Sequence, residues 1–289
     1  MTLEPLVAHA ICAALVVLDQ GARALRIKWL TEAIGHPFRG RHALATNAIG
    51  DAACAVTPMR LGGEPARLGA MLHYEIPATA SFIAVAFEVI TMWPVIIAMA
   101  IGVAILFAPG WLEHSAPALL AGFGQLWGWF VAAGVVSLGI WMIVRRAVHV
   151  APRVTQRPWR RARVYWRRMP PGPVVAAVIL AFINLSARTA ILPVLMMTLP
   201  EPPPLGPAIL GSFALLYSQL ILPTPSGAGV VDLGLLAGAA GHVQEGEVEL
   251  LIWWRFYTSA LGIILGGWAA VRTFGWEAVR KAVRGKSKA

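Results

Sequence analysis

PTPSGAGVVD, from Pro223 to Asp232, interrupts one of the most apolar regions of the chain. Two prolines and two glycines stand where a membrane helix needs an unbroken backbone, and a carboxylate follows two valines. Proline removes an amide donor and glycine permits turns, so the stretch reads as a break between two helical segments. A second stretch, TPMRLGGE from Thr57 to Glu64, has the same layout. Each sets Thr-Pro first, then a glycine-containing turn, then an acid seven or eight residues after the threonine.

The surroundings of both breaks are membrane-like. The 289 residues are 58% hydrophobic and 13% charged, with a mean hydropathy of +0.68. Apolar windows lie near 5–18, 77–107, 118–144, 173–199, 206–222 and 250–271, with shorter ones at 43–57 and 230–241. Crossing a bilayer takes roughly 20 apolar residues. The runs are continuous rather than alternating, which excludes a β-barrel. The first run follows Glu4 without a basic segment ahead of it, so a cleaved signal peptide is not expected. Cys12 and Cys54 sit in apolar surroundings and read as packing residues.

Charge sets the expected topology. Of 24 Lys and Arg, five lie between Arg23 and Arg41, nine between Arg145 and Arg168, and six between Arg272 and Lys288. The positive-inside rule puts these clusters in the cytoplasm, and the middle one is suited to anionic lipid headgroups. A net charge of +10 distributed in this way does not call for nucleic acid. The connections at 108–117, 200–206 and 241–249 contain no Lys or Arg and belong outside. Tracing the chain through these faces leaves 43–75 starting and ending in the cytoplasm, and 206–241 starting and ending outside.

The expected fold is therefore an all-α polytopic membrane protein. It has about five to six full transmembrane helices plus two re-entrant, broken-helix hairpins of opposite orientation, forming an inverted repeat. One integral membrane domain covers 1–271, with a basic cytoplasmic loop at 145–170. A basic cytoplasmic tail follows at 272–289, and the N-terminus lies outside.

Non-helical backbone at membrane depth must be buried in protein or line a wet cavity. Helix starts are expected after each break, near Pro65 and Val230, and helix N-termini attract anions. A lipid phosphate is one natural occupant. Only Arg60, Arg67, Arg188 and Arg255 lie outside the three basic clusters. A lone charge at the bilayer centre costs roughly 2.5–3.5 kcal/mol, so these arginines should face partners, water or a headgroup. The bland alternative is ion pairing with Glu64, Glu88 or Asp232, and Arg67 with Glu64 has the spacing of a local helical pair.

Several segments together resemble one family. These are LRIKWL after the first span, TPMRLGGEPARLGAML, LPTPSGAGVVDLGLLAGAAG and LLIWWRFYTSALGIILGG. They are similar to the lysylphosphatidylglycerol synthase transmembrane region, or flippase-like integral membrane family, over residues 5 to 271. The resemblance implies an inner-membrane protein that translocates a lipid or a lipid-linked headgroup. It carries motif status to Pro58, Gly62, Gly63, Glu64 and Arg67 in the first break. In the second it does so for Pro225, Gly227, Gly229 and Asp232, followed by Arg255. The family commonly has glutamate where this chain has Asp232, whose carboxylate reaches less far. No counterpart of the soluble aminoacyl-transferring domain of fused members is present in these residues, so the resemblance assigns no lipid aminoacylation.

Rival readings have less support. The seven histidines are scattered without i,i+4 pairing, which argues against a metal site, and no Gly-x-Ser-x-Gly elbow occurs. A membrane-embedded lipid-modifying enzyme thus lacks a catalytic constellation. A non-transporting subunit that binds lipid or a lipid-biosynthesis enzyme is the main alternative. The pairs Gly124/Gly128, Gly234/Gly238 and Gly262/Gly266 allow close helix approach. Packing within the chain is their expected use, and a homo-oligomer face is the other. Trp111, Trp159, Trp166 and Trp276 read as interfacial anchors.

The expectation is a lipid flippase-like transporter without a cofactor. Arg60, Arg67, Arg188 and Arg255 would hold the phosphate. Glu64 and Asp232 would pair with them, or bind a proton or cationic headgroup part, meeting near the midplane.

Overall fold

A computed structural model describes residues 3–57, 60–107, 153–219, 224, 229, 232 and 247–277. Pro58, Pro225 and Gly227 lie outside these residues, as do the expected span at 118–144, most of the second hairpin, Trp111 and the first two glycine pairs.

The described elements are all helical, in line with an all-α polytopic membrane protein. They are α1 (Pro5–Ala33), α2 (Gly40–Val56), α3 (Gly63–His73), α4 (Ala78–Phe107), α5 (Arg153–Arg168), α6 (Pro171–Met196), α7 (Leu205–Ser218), α8 (Glu247–Arg255) and α9 (Leu261–Phe274). A π-helical turn, Phe256–Ala260, joins α8 to α9. Among the described residues, four helices are long and apolar enough to cross a membrane: α1, α4, α6 and the continuous Val248–Phe274.

The first helix departs from expectation. Its apolar run ends at Leu18, yet the helix continues to Ala33 and stops only before Gly35, whose φ is +89°. A φ in that range favours glycine and marks the helix end. Arg23 and Arg26, counted above with a cytoplasmic cluster, are therefore inside α1 and buried. Their charges are met by carboxylates from other elements, which a count along the chain cannot register.

Helices α1 and α6 form the central pair, and apolar residues of α1, α6, α7 and α8 pack into one core cluster that includes Cys12, Leu192, Leu216 and Trp254. A second cluster joins α1, α3 and α4 through Ile27, Leu30, Met71, Ile83 and Phe87. Helix α5 rests on this cluster through Ala162 and Tyr165. Trp166 stacks near Phe87 at 4.5 Å between ring centres, while Arg160, Arg161, Arg163, Arg167 and Arg168 are exposed. Both Trp166 and Trp276 are exposed, as suits interfacial anchors.

The first break is a helix–turn–helix, as its sequence suggests. Thr57 Oγ1 donates to the Ala53 carbonyl at 2.7 Å and accepts the Gly62 amide at 2.9 Å, closing the turn. Arg60 has φ +58°, which costs a non-glycine residue backbone strain. Small residues then bring the helices together. A Cβ at Gly63 would strike Cys54 Sγ, and one at Gly50 would lie 2.7 Å from Arg67 Cγ. Gly266 of α9 lies directly against Ala48 and Ala52 of α2. The pair Gly262/Gly266 therefore serves packing within the chain.

Candidate functional site

The midpoints of α1, α4 and α6 fall near Asp19, Met92 and Asn184. Charged side chains gather at this level. On α1, Asp19, Arg23 and Arg26 follow i, i+4, i+7 spacing and so share one helix face. Arg23 grips Asp51 of α2 with both Nη atoms, at 2.8 and 2.5 Å, in a bidentate fork. Gln20 Nε2 adds a third bond to Asp51 at 2.7 Å. Behind Arg23, Asp19 lies 3.7 Å from its Nη1 and accepts a bond from Asn184 Nδ2 of α6.

Glu88 of α4 joins two arginines. Arg26 Nη2 donates to Oε1 at 2.6 Å and Arg67 Nη1 to Oε2 at 3.2 Å. Arg67 reaches this position because α3 packs tightly on α2 at Gly50 and Gly63. Arg67 Nη1 also lies 3.5 Å from Glu64 Oε1, the i,i+3 pair expected from sequence.

These groups line a cavity of about 210 Å³. Arg60 and Arg188 complete its charged lining, and Gln219, the residue after α7, accepts a bond from Arg60 Nη1 at 3.3 Å. Five arginines face three carboxylates, an excess of two positive charges; counting Asp19 behind Arg23 leaves one. Donor capacity remains. Arg26 Nε and Nη1, Arg67 Nε and Gln219 Nε2 are buried without a hydrogen-bond partner among the described residues. An unmet buried donor costs roughly 1–3 kcal/mol, more when charged, so these atoms favour an acceptor. The rest of the lining is largely apolar and includes Val89, Met92, Trp93, Ile96 and Leu216, with Met92 Sδ 3.8 Å from Arg26 Nη2. Val89 and Trp93 also reach the outer face of α4. Pro94, next to Trp93 in α4, removes one backbone donor from the helix.

Arg188 turns toward the last span, donating from Nη2 to the Thr258 carbonyl at 2.9 Å. Thr258 belongs to the π-helical turn, and π-turns frequently occur at functional sites. Arg60 and Arg188 also line a small adjoining cavity with Gln20, Asp51, Tyr257 and Ser259. It is about 20 Å³, room for one water.

Of the residues singled out in sequence, Arg60, Glu64, Arg67 and Arg188 line one cavity. Gly62 and Gly63 close the turn beside it. Asp232 and Arg255 do not line it. Arg255 Nε donates to Asp232 Oδ1 at 2.6 Å, and the Gly229 amide donates to Asp232 Oδ2 at 2.9 Å. The two break carboxylates thus have separate arginine partners. Sequence reasoning missed Asp19, Arg23, Arg26 and Asp51 as members of the site and counted Glu88 only as a pairing alternative. The polar stripe at i, i+4, i+7 on α1 carried the signal for the first three.

No group of histidine, cysteine or acidic side chains suited to a metal occurs among the described residues. No curated protein and no solved structure matches the chain. A family model, the lysylphosphatidylglycerol synthase TM region, matches residues 2–266. By that match the chain belongs to the lysylphosphatidylglycerol synthase transmembrane-region family, which implies a lipid-related role in a membrane.

Proposed function

We propose that the chain translocates an anionic phospholipid or lipid-linked headgroup across the inner membrane. The observation that carries this reading is the cavity at mid-helix, whose lining combines buried arginine donors with apolar side chains. Intramembrane charges are expensive and typically mark a pathway or site. A headgroup phosphate would lie against Arg26, Arg67, Arg60 and Arg188. Acyl or prenyl chains would leave past Val89 and Trp93 toward lipid. Glu64 is a neighbouring counter-charge in this reading. Asp232 and Arg255 would act at a second position along the path, where the other hairpin enters from the opposite face.

Reconstitution into liposomes tests the reading. Labelled phospholipids and polyprenyl phosphates are followed by their accessibility in the outer leaflet. Transfer should accelerate for anionic lipids with the wild-type chain and fall when Arg67 is replaced by Gln. Absence of transfer for every lipid, alongside capture of a lipid-synthesis enzyme, would favour the subunit reading instead. Orientation has its own test. Single cysteines at Ser115 and Glu247 should label from outside, and one at Arg161 only from the cytoplasm. Cytoplasmic labelling at position 247 would overturn the opposed-hairpin topology.

A further inference from the structure

Glu64 is the most loosely held carboxylate of the cavity. Asp51 accepts three hydrogen bonds, and Glu88 accepts one at each oxygen. Glu64 has only the 3.5 Å approach to Arg67 Nη1, an atom that already donates to Glu88. Its side chain is 45% exposed, against 2% for Glu88. Its second oxygen, Oε2, is itself enclosed and has no hydrogen-bond partner among the described residues. Arg67 is the opposite case: buried, permanently charged, and with Nε unpartnered.

We infer that Glu64 is a resident counter-ion, displaced from Arg67 when an anionic headgroup enters the cavity. The pairing is long, and the Glu64 side chain is half-exposed with one carboxylate oxygen unpartnered, so little is lost when it opens. Glu64 also has another resting place. It stands in the first turn of α3, where the helix dipole favours a carboxylate. Arg67 has none, because the packing of α2 on α3 encloses its side chain. With Glu64 in place the local positive excess is screened. With Glu64 turned outward, the Arg67 Nη1 hydrogen that faced it is offered to a phosphate oxygen. The exchange makes the site selective for a net negative headgroup over a zwitterionic one.

Glu64 acts this way only if the cavity is a headgroup site, as proposed above, and the test separates the two. The full-length chain in detergent micelles is titrated calorimetrically with dihexanoylphosphatidylglycerol, dihexanoylphosphatidylcholine and inorganic phosphate. Glu64→Gln should bind the anionic lipid about fivefold tighter, the scale of a competing half-exposed ion pair. Its affinity for the zwitterionic lipid should not change. Glu32→Gln makes the same charge change at an exposed pair with Lys28 and should leave all three affinities unchanged. Glu64→Ala repeats the test if the Gln variant fails to fold. Inorganic phosphate that binds as well as the lipid would assign the exchange to a free anion. Equal or weaker lipid binding by both Glu64 variants overturns the counter-ion role; if Arg67→Gln abolishes binding in the same series, the headgroup site itself stands. No anionic binding by the wild type overturns both.

Discussion

The Arg26–Glu88–Arg67 group and the Arg255–Asp232 pair use the same chemistry at different burial. The side chains of the first are 1%, 2% and 9% exposed. Those of the second are 19% and 28% exposed. Three separate elements, α1, α3 and α4, converge on Glu88, and donors are left over. Asp232 is satisfied by Arg255 and by the backbone amide of Gly229. An enclosed group with surplus donors is poised for a ligand; a more exposed pair whose carboxylate is held by a side chain and a backbone amide is suited to holding backbone in place.

The largest test of this contrast is Glu88→Ala. It leaves two guanidiniums enclosed without their shared anion and should cost about 3–5 kcal/mol, the range for removing one partner of a buried pair. Asp232→Ala should cost about 1 kcal/mol or less, since solvent screens the remaining arginine. Unfolding of each variant in micelles checks both. Equal losses would break the comparison.

Transport is expected to follow the same order. Arg67→Gln and Arg26→Gln should each slow translocation of an anionic lipid by about tenfold or more, equivalent to ~1.4 kcal/mol of lost headgroup stabilisation. Arg255→Gln should slow it by no more than about threefold. Leaflet accessibility in liposomes measures both. A larger effect at Arg255 would move the principal site to the second hairpin.

Packing gives a smaller effect. Gly266→Leu forces a side chain against the Ala48 carbonyl and should destabilise by about 1–3 kcal/mol. Gly267→Leu meets nothing within 4 Å and should change stability by about 0.5 kcal/mol or less. Smallest of all, Lys28→Ala removes an exposed i,i+4 pair with Glu32 and should cost about 0.3–0.5 kcal/mol. Thermal unfolding of the three variants ranks them.

Hydropathy and the Thr-Pro-Gly breaks made the helical membrane class and the first hairpin legible, because both are local signals. Arg60, Glu64, Arg67 and Arg188 were legible for a related reason: the first three sit in the first break, and Arg188 is isolated in an apolar stretch. Arg23 and Arg26 were not. They follow the first apolar run and precede three more basic residues, so positive-inside counting absorbs them into a loop. Their role depends on Asp51, 28 residues away from Arg23, and on Glu88, 62 residues away from Arg26. Such long-range neutralisation has no signature along the chain. The polar stripe on α1 was visible, but only tertiary structure says what it faces. The similar spelling of the two breaks suggested one shared site, whereas their carboxylates have separate partners. Spelling conveys local backbone shape, and side-chain partners are set by the surrounding helices.

Photo-crosslinking tests the central claim most directly. The full chain in liposomes is exposed to an anionic phospholipid carrying a photoreactive group either on the headgroup or midway along an acyl chain. The account predicts headgroup adducts on α1 and α3 around Arg26 and Arg67, and acyl adducts on α4 around Val89 and Trp93. Headgroup adducts confined to the vicinity of Asp232 and Arg255, with none on α1 or α3, would contradict it.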